Sequence, residues 1–127
     1  RLGKVTPAVI ALWARVLHAV PDSRMVVAAI ADDAARDRVL AAFAAHGIGA
    51  DRIIPQPRTG LDRYLALHGT CDLLLDTFPY AGGTGTCFAA WMGVPTLTLA
   101  GATRQARAGA ALSAPLGLPG FAADPAD

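Results

Sequence analysis

The stretch from Asp72 to Gly93, DLLLDTFPYAGGTGTCFAAWMG, decides the fold because it reads as a strand, a glycine-rich turn and a helix in direct succession. Residues 72–76 form a short apolar run between two acids, long enough for a strand buried on both faces and too short for a helix. Residues 77–80 interrupt regular structure, and residues 82–86 (GGTGT) let the backbone approach a ligand before a helix begins. The side of this helix expected to pack on the sheet carries Cys87, Phe88, Ala90 and Trp91.

The start of this predicted helix has the properties of an anion site. The N–H groups of a first helical turn have no partner within the helix, and the helix dipole adds about half a positive charge there. Thr84 and Thr86 can donate a hydrogen bond to a phosphate oxygen or cap the helix. The spacing matches neither GxGxxG nor GxxxxGK[ST], so glycines that only make a tight connection explain the turn equally well. The residues of the turn are equally compatible with a phosphate-binding site and with a turn that binds no ligand.

Composition narrows the class of protein. With 127 residues and 54% hydrophobic content, the chain is at most one domain and can form a core. A net charge of +1 and the absence of a basic run give no reason to expect nucleic acid or a membrane surface as a partner. No apolar stretch approaches the roughly 20 residues that span a bilayer. Cys71 and Cys87 lack zinc-site spacing, so we expect no metal site and two buried thiols in the reducing cytoplasm.

The rest of the chain alternates helices and strands. Thr6 and Pro7 are typical of an N-cap and a first helical position, and Asp32 and Asp33 open a second helix. Further helices are predicted over 61–68, 84–92 and 103–113, and strands over 25–30, 52–54, 72–75, 95–100 and 120–123. Apolar strands separated by amphipathic helices predict an α/β fold with an open, doubly wound parallel sheet of Rossmann-like type.

This order of elements lacks the strand with which such a fold normally begins. In the usual strand order the first strand lies in the middle of the sheet, so its absence would remove a central hydrogen-bonding partner. After residues 120–123 the chain stops before a helix could cover them. We therefore expect residues 1–127 to be a partial domain without its first strand and last helices. The alternative is a four-stranded sheet that starts with a helix.

The string LLLDTFPYAGGTGTCFAAWMGVPTLTLAG (residues 73–101) resembles the C-terminal catalytic half of the O-GlcNAc transferase family, glycosyltransferase family 41, in its SPINDLY-like bacterial branch. Lys4, Pro7 and Trp13 are similar to the family's Lys-x-x-Pro helix start with its tryptophan. The VPDS segment (residues 20–23) and Arg52-Ile53-Ile54 follow in the family's order. The resemblance implies a two-domain GT-B fold, in which this chain is most of the nucleotide-sugar-binding domain.

The resemblance also implies a reaction and a set of site residues. Members transfer a sugar from a UDP-sugar to serine or threonine of proteins, with inversion and without a metal or other cofactor. By resemblance Lys4 is the catalytic residue, because it contacts the diphosphate. The implied binding residues are Gly82, Gly83, Thr84, Gly85, Thr86, Thr59, Tyr64 and Arg107. Tetratricopeptide repeats usually precede the family's catalytic half, and no 34-residue repeat occurs in this chain, so we expect the N-terminal half and the repeats elsewhere in the polypeptide and no activity from this chain alone.

Several residues depart from the family pattern. Gly85 stands where the family has a threonine, and Phe88 stands where many members have an acid that reaches the ribose. Tyr64 stands where the family has a histidine near the uracil, and Leu61 where it has a lysine. Phenylalanine cannot accept a hydrogen bond, which favours a second hypothesis, a non-catalytic nucleotide- or phosphate-binding module of the same fold. A third hypothesis is an interaction domain whose sheet serves only as a scaffold. Asp76 follows a strand and is expected to hydrogen-bond the turn rather than act as a base.

Overall fold

The computed structural model describes residues 2–117 and the strand residues 122–123, and it shows an α/β arrangement with parallel strands. The chain divides into two compact units, Arg1–Thr59 and Gly60–Asp127. Helices and strands alternate along the described residues as the sequence predicts. Among those residues, no helix is both long enough and apolar enough to cross a membrane.

The first unit contains two helices and two strands. These are helix α1 (Pro7–Ala19), strand β1 (Met25–Ile30), helix α2 (Asp33–Ala44) and strand β2 (Ile53–Pro57). Thr6 is the N-cap of α1, and its side chain accepts a hydrogen bond from the Val9 N–H. Asp32 caps α2 in the same way through the Ala35 N–H, at 2.7 Å. Both predicted helix starts are therefore confirmed.

Strands β1 and β2 form a parallel pair whose register is irregular near the end of β1. Met25 lies opposite Ile53, and the register shifts between Val27 and Ile30. Ala29 within this irregularity has a φ of 64°, in the left-handed region that a residue with a Cβ seldom adopts. Helices α1 and α2 pack with these strands around large apolar side chains. This core comprises Val9, Ile10, Trp13, Leu17, Val27, Ile30, Val39, Phe43, Ile48 and Ile53.

The second unit contains three helices and three parallel strands. These are helix α3 (Leu61–His68), strand β3 (Leu74–Leu75), helix α4 (Thr84–Trp91), strand β4 (Thr96–Leu99), helix α5 (Ala108–Ser113) and strand β5 (Ala122–Ala123). The strand order is β3-β4-β5. Gly120 and Phe121 of the predicted last strand lie outside the described residues. Within the described part of the chain, β1 pairs only with β2 and β3 only with β4.

Three sequence expectations about the second unit are wrong. The two thiols are not both buried, because Cys71 is half-buried and Cys87 is exposed. The buried residues of α4 are Thr86 and Ala89, whereas Trp91 is 85% exposed and Cys87 is also exposed. The buried side of α4 therefore carries small side chains, while the large Trp91 side chain lies outside. The helix predicted over 103–113 is divided into a 3-10 turn (Gln105–Arg107) and α5, with Gly109 buried in α5.

Candidate functional site

The turn between β3 and α4 is organised by the carboxylate of Asp76. Its Oδ1 accepts hydrogen bonds from the Thr77 N–H at 2.8 Å and the Gly82 N–H at 2.7 Å. Its Oδ2 accepts a hydrogen bond from the Thr98 hydroxyl at 2.8 Å. The prediction that Asp76 hydrogen-bonds the turn is confirmed. One side chain therefore joins the end of β3, the last part of the turn and strand β4.

Two glycines allow this polar arrangement to be compact. A Cβ on Gly82 would lie 3.0 Å from both Asp76 Oδ1 and Thr86 Oγ1. A Cβ on Gly109 would overlap the Thr98 hydroxyl and come within 2.6 Å of Asp76 Oδ2. Both positions therefore need a residue without a side chain, because the carboxylate occupies the space.

Helix α4 begins at Thr84 with its first turn uncapped by a side chain. Its N-cap is Gly83, at φ −125° and ψ −82°, and glycine has no side chain that could accept hydrogen bonds from the first-turn N–H groups. Thr86 in this first turn is 3% exposed, and its hydroxyl has no hydrogen-bond partner among the described residues. A buried hydroxyl without a partner is uncommon, and it lies beside Gly82 of the turn. These groups together offer several donors to an anion.

Tyr64 of α3 lies over the start of α4. A Cβ on Gly85 would be 3.7 Å from the Tyr64 hydroxyl. The Tyr64 ring contacts Phe88 edge to face, with ring centroids 6.0 Å apart, and contacts His68 at 4.9 Å. His68 is buried, and its Nδ1 donates to the Tyr64 carbonyl at 2.9 Å. Partial burial raises the pKa of the Tyr64 phenol.

Arg107 lies on a segment that is hydrogen-bonded to the same turn. The Ala81 N–H donates to the Gln105 carbonyl at 3.3 Å, which fixes the 3-10 turn of Arg107 next to the residues before Gly82. Arg107 is exposed, and its Nη1 donates to the Gly101 carbonyl at 3.2 Å. Arg107 therefore carries a positive charge on a segment that is bonded to the turn before α4.

The structure brings most of the predicted binding residues into one unit. Those in the second unit are Gly82, Gly83, Thr84, Gly85, Thr86, Tyr64 and Arg107. Lys4 and Thr59 belong to the first unit, where Lys4 ends a short 3-10 turn and Thr59 is exposed after β2. The catalytic role of Lys4 and the binding roles of all the other residues stay predictions.

Sequence reasoning missed Thr98 and Gly109, which surround the Asp76 carboxylate with the turn. The available signals were the alternation of threonine and leucine in residues 96–99 and a glycine in the interior of a predicted helix. His18 has a structural role instead of a functional one, because its Nε2 donates to the His46 carbonyl at 2.8 Å. Among residues 2–117, no group of three or more histidines, cysteines and acids is placed to hold a metal ion.

Comparisons with known proteins point to one family. The sequence model described as Glycosyl transferase family 41 matches residues 1–127. The rice and Arabidopsis thaliana proteins named "Probable UDP-N-acetylglucosamine--peptide N-acetylglucosaminyltransferase SPINDLY" are each 38% identical over 120 residues, which is 92% of this chain and 13% of theirs. A solved structure of a mutant Thermobaculum terrenum O-GlcNAc transferase superposes with a TM-score of 0.91 at 35% identity, over 97% of this chain and 24% of that one.

These matches extend along nearly the whole chain, although the chain spans only about an eighth of the length of the curated relatives, 13% in each case. The resemblance noted in the residues of the turn is therefore confirmed by the family model, by sequence relatives and by a solved structure. The chain belongs to glycosyl transferase family 41.

Proposed function

We propose that the complete natural polypeptide transfers a sugar from a UDP-sugar to serine or threonine of proteins, and that residues 1–127 supply most of its nucleotide-sugar-binding domain. The names of the relatives support this, because they state UDP-N-acetylglucosamine and a peptide. An N-terminal catalytic half, preceded by tetratricopeptide repeats, would complete the enzyme, so this chain alone should not turn over. A cytoplasmic location fits the two free thiols, Cys71 and Cys87.

The observation that carries the proposal is the buried Thr86 hydroxyl in the first turn of α4. Leaving a buried hydroxyl without a partner costs about 1–3 kcal/mol, and a ligand that accepts a hydrogen bond from it would recover that cost. Thr86 lies beside Gly82 and three residues after Gly83, the N-cap residue, which provides no side-chain cap. A diphosphate seated at this helix start would accept hydrogen bonds from the hydroxyl and from the first-turn N–H groups.

The same arrangement suits the chemistry of sugar transfer. Negative charge develops on the departing diphosphate, and fixed donors aimed at that charge stabilise the transition state. In this proposal the start of α4 supplies the fixed dipoles and Arg107 a nearby cation. Lys4 is the catalytic residue that contacts the diphosphate, and Thr59 and Tyr64 complete the donor site. These cations would replace a metal ion, and transfer would proceed with inversion.

A matched pair of substitutions tests the role of Thr86. Thr96 also buries a hydroxyl, which has no partner among the residues that the structure describes. It lies at the first position of β4, the strand end away from the turn. Replacing either threonine by valine removes an unsatisfied hydroxyl, so neither change should lower the thermal unfolding midpoint. Only Thr86→Val should weaken UDP binding to the complete polypeptide, by about tenfold in calorimetry.

Unchanged UDP affinity in Thr86→Val would contradict this diphosphate site, and equal losses in both variants would show a general structural effect. Lys4→Ala should lower kcat by about 100-fold or more, because one donor to the developing charge typically contributes that much. A wild-type polypeptide that binds no UDP would refute the whole proposal.

A second candidate function is a non-catalytic nucleotide- or phosphate-binding module. The observation in its favour is Phe88, which packs against Tyr64 and offers no acceptor to a ribose hydroxyl. An assay of sugar transfer from UDP-N-acetylglucosamine to a serine-containing peptide separates the two candidates. UDP binding without transfer by the complete polypeptide would favour the module.

A further inference from the structure

The Tyr64 side chain meets helix α4 through its polar end. Its hydroxyl is 3.7 Å from the position that a Cβ on Gly85 would take, an ordinary contact distance. Gly85 is the second residue of α4, between Thr84 and Thr86. A side chain at Gly85 would contact the hydroxyl, whereas glycine leaves that position empty.

In the part of the chain that the structure describes, neighbouring rings position the phenol, rather than a hydrogen bond to its oxygen. Phe88 lies one helical turn after Gly85 and contacts the Tyr64 ring at an interplanar angle of 72°. His68 contacts the same ring at 89°, and it is itself held by the 2.9 Å bond to the Tyr64 carbonyl. An aromatic ring with two such contacts loses little further entropy when its hydroxyl binds a ligand.

The protonation state of the phenol suits a hydrogen-bond donor. Burial raises the pKa of Tyr64 above its ordinary value of 10.0, so the hydroxyl keeps its proton throughout the physiological range. Phe88, one turn along α4, carries no acceptor that could compete for this proton. Within residues 2–117 no acceptor holds this hydroxyl, so it can donate to an oxygen that arrives with a ligand.

A second feature indicates that an anion binds at this helix start. The Thr86 hydroxyl, in a residue that is 3% exposed, has no partner within the described residues and faces Gly82 of the turn. Tyr64 and Thr86 thus place two hydroxyl groups around an uncapped first turn. Both are neutral donors of the kind that phosphate oxygens accept.

We propose that the Tyr64 hydroxyl donates a hydrogen bond to the diphosphate of the bound UDP-sugar, and that Gly85 is small to admit it. This inference rests on the proposed function and adds a specific role: Tyr64 recognises the phosphates through its oxygen, not the base through its ring. The Tyr64 hydroxyl, from α3, would thereby replace the threonine hydroxyl that is missing at Gly85.

The experiment compares UDP with uridine as ligands of the complete polypeptide. Tyr64→Phe removes only the hydroxyl and retains the ring contacts with Phe88 and His68, so folding should be preserved. Calorimetry should show UDP binding weakened by about tenfold, as expected for a lost bond to a charged group. Uridine, which lacks the phosphates, should bind within about twofold of wild type. A second variant, Tyr64→Leu, removes the ring as well and should weaken UDP no more than about threefold beyond Tyr64→Phe.

Three results would overturn the inference. The first is an unchanged UDP affinity in Tyr64→Phe. The second is a loss of uridine affinity in Tyr64→Phe as large as the loss of UDP affinity. The third is a loss of UDP affinity in Tyr64→Leu but not in Tyr64→Phe, which would show that the ring stacks on the base. Each of these leaves UDP binding by the wild type intact, so the proposed function would survive. Failure of the wild type to bind UDP would instead refute the proposed function itself.

Discussion

The Asp76 carboxylate and the Gly82 amide, six residues apart, are joined by a hydrogen bond of 2.7 Å. The same oxygen also accepts the Thr77 amide, and the other oxygen accepts the Thr98 hydroxyl. The path of the turn toward α4 therefore depends on one acidic side chain. The positions of any anion-binding groups at the start of α4 therefore depend on the Asp76 side chain.

Removing the Asp76 carboxylate should loosen the turn. In Asp76→Ala the Thr77 and Gly82 amides and the Thr98 hydroxyl lose their acceptor, and such losses cost about 2 kcal/mol in part-buried sites. We expect the Gly82 amide to exchange its hydrogen about 30-fold faster, measured by hydrogen exchange in the complete polypeptide. Asp76→Asn retains an acceptor oxygen and should keep most of the protection. Equal exchange in wild type and Asp76→Ala would contradict this.

A methyl group at Gly109 should destabilise the second unit. In an unconstrained helix, alanine would be favoured over glycine by about 1 kcal/mol. Here the added Cβ would overlap the Thr98 hydroxyl and approach Asp76 Oδ2 to 2.6 Å, and overpacking typically costs about 1–3 kcal/mol. We therefore expect a lower thermal unfolding midpoint for Gly109→Ala. Gly3→Ala is the control, because nothing lies within 4 Å of that position, and it should leave the midpoint unchanged.

Arg52 should be a main contributor to the stability of the first unit. Its guanidinium donates to the carbonyls of Leu17, Val20 and Ser23 at 2.8–2.9 Å and to the Ser23 hydroxyl at 3.0 Å. The cation thus satisfies carbonyls at the end of α1 and ties that end to β2. Arg52→Ala should lower local stability by about 2–3 kcal/mol, seen as faster amide exchange in residues 17–24.

Arg52→Lys should recover only part of this stability, because an ammonium group lacks the planar fork that reaches several carbonyls at once. Arg15→Ala, on the exposed surface of α1, is the matched control and should have little effect. Comparable losses in Arg15→Ala and Arg52→Ala would show that the hydrogen bonds contribute little.

The free energy of unfolding should depend on pH in the alkaline range because Tyr64 titrates there. Burial raises its pKa in the folded state above the ordinary 10.0, so the folded form holds its proton more tightly than the unfolded form. This contribution is fully present below pH 10 and is lost as the pH rises through the folded-state pKa. The unfolding free energy of wild type should therefore fall relative to that of Tyr64→Phe above pH 10, by at most about 1.4 kcal/mol per pH unit. A difference that stays constant between pH 9 and 11.5 would contradict the assignment.

Local signals in the sequence were sufficient for the order of elements and for several helix starts. Thr6 and Asp32 cap helices as predicted, since an N-cap depends on contacts within three residues. The glycine-rich turn and the bonding role of Asp76 were also predicted, because both depend on residues close in the chain. The linked motifs around residues 73–101 indicated the family that the comparisons show.

The exposed side of α4 was predicted wrongly because the buried side is set by the contacts of α4 with α3, β4 and α5, which lie elsewhere in the sequence. Thr86 and Ala89 face the interior, and Trp91 does not. The placement of Tyr64 over Gly85, and of Thr98 and Gly109 around Asp76, joins residues 11 to 33 positions apart, which no local pattern specifies.

The sequence by itself determined the alternation of strands and helices, the caps and the family, because these follow from residue types at short spacing. Only the tertiary structure decided which hydroxyl groups surround the start of α4 and why Gly82 and Gly109 must lack side chains. The physical reason is that buried polar groups need partners and buried atoms need space, and both are set by elements that meet across the fold.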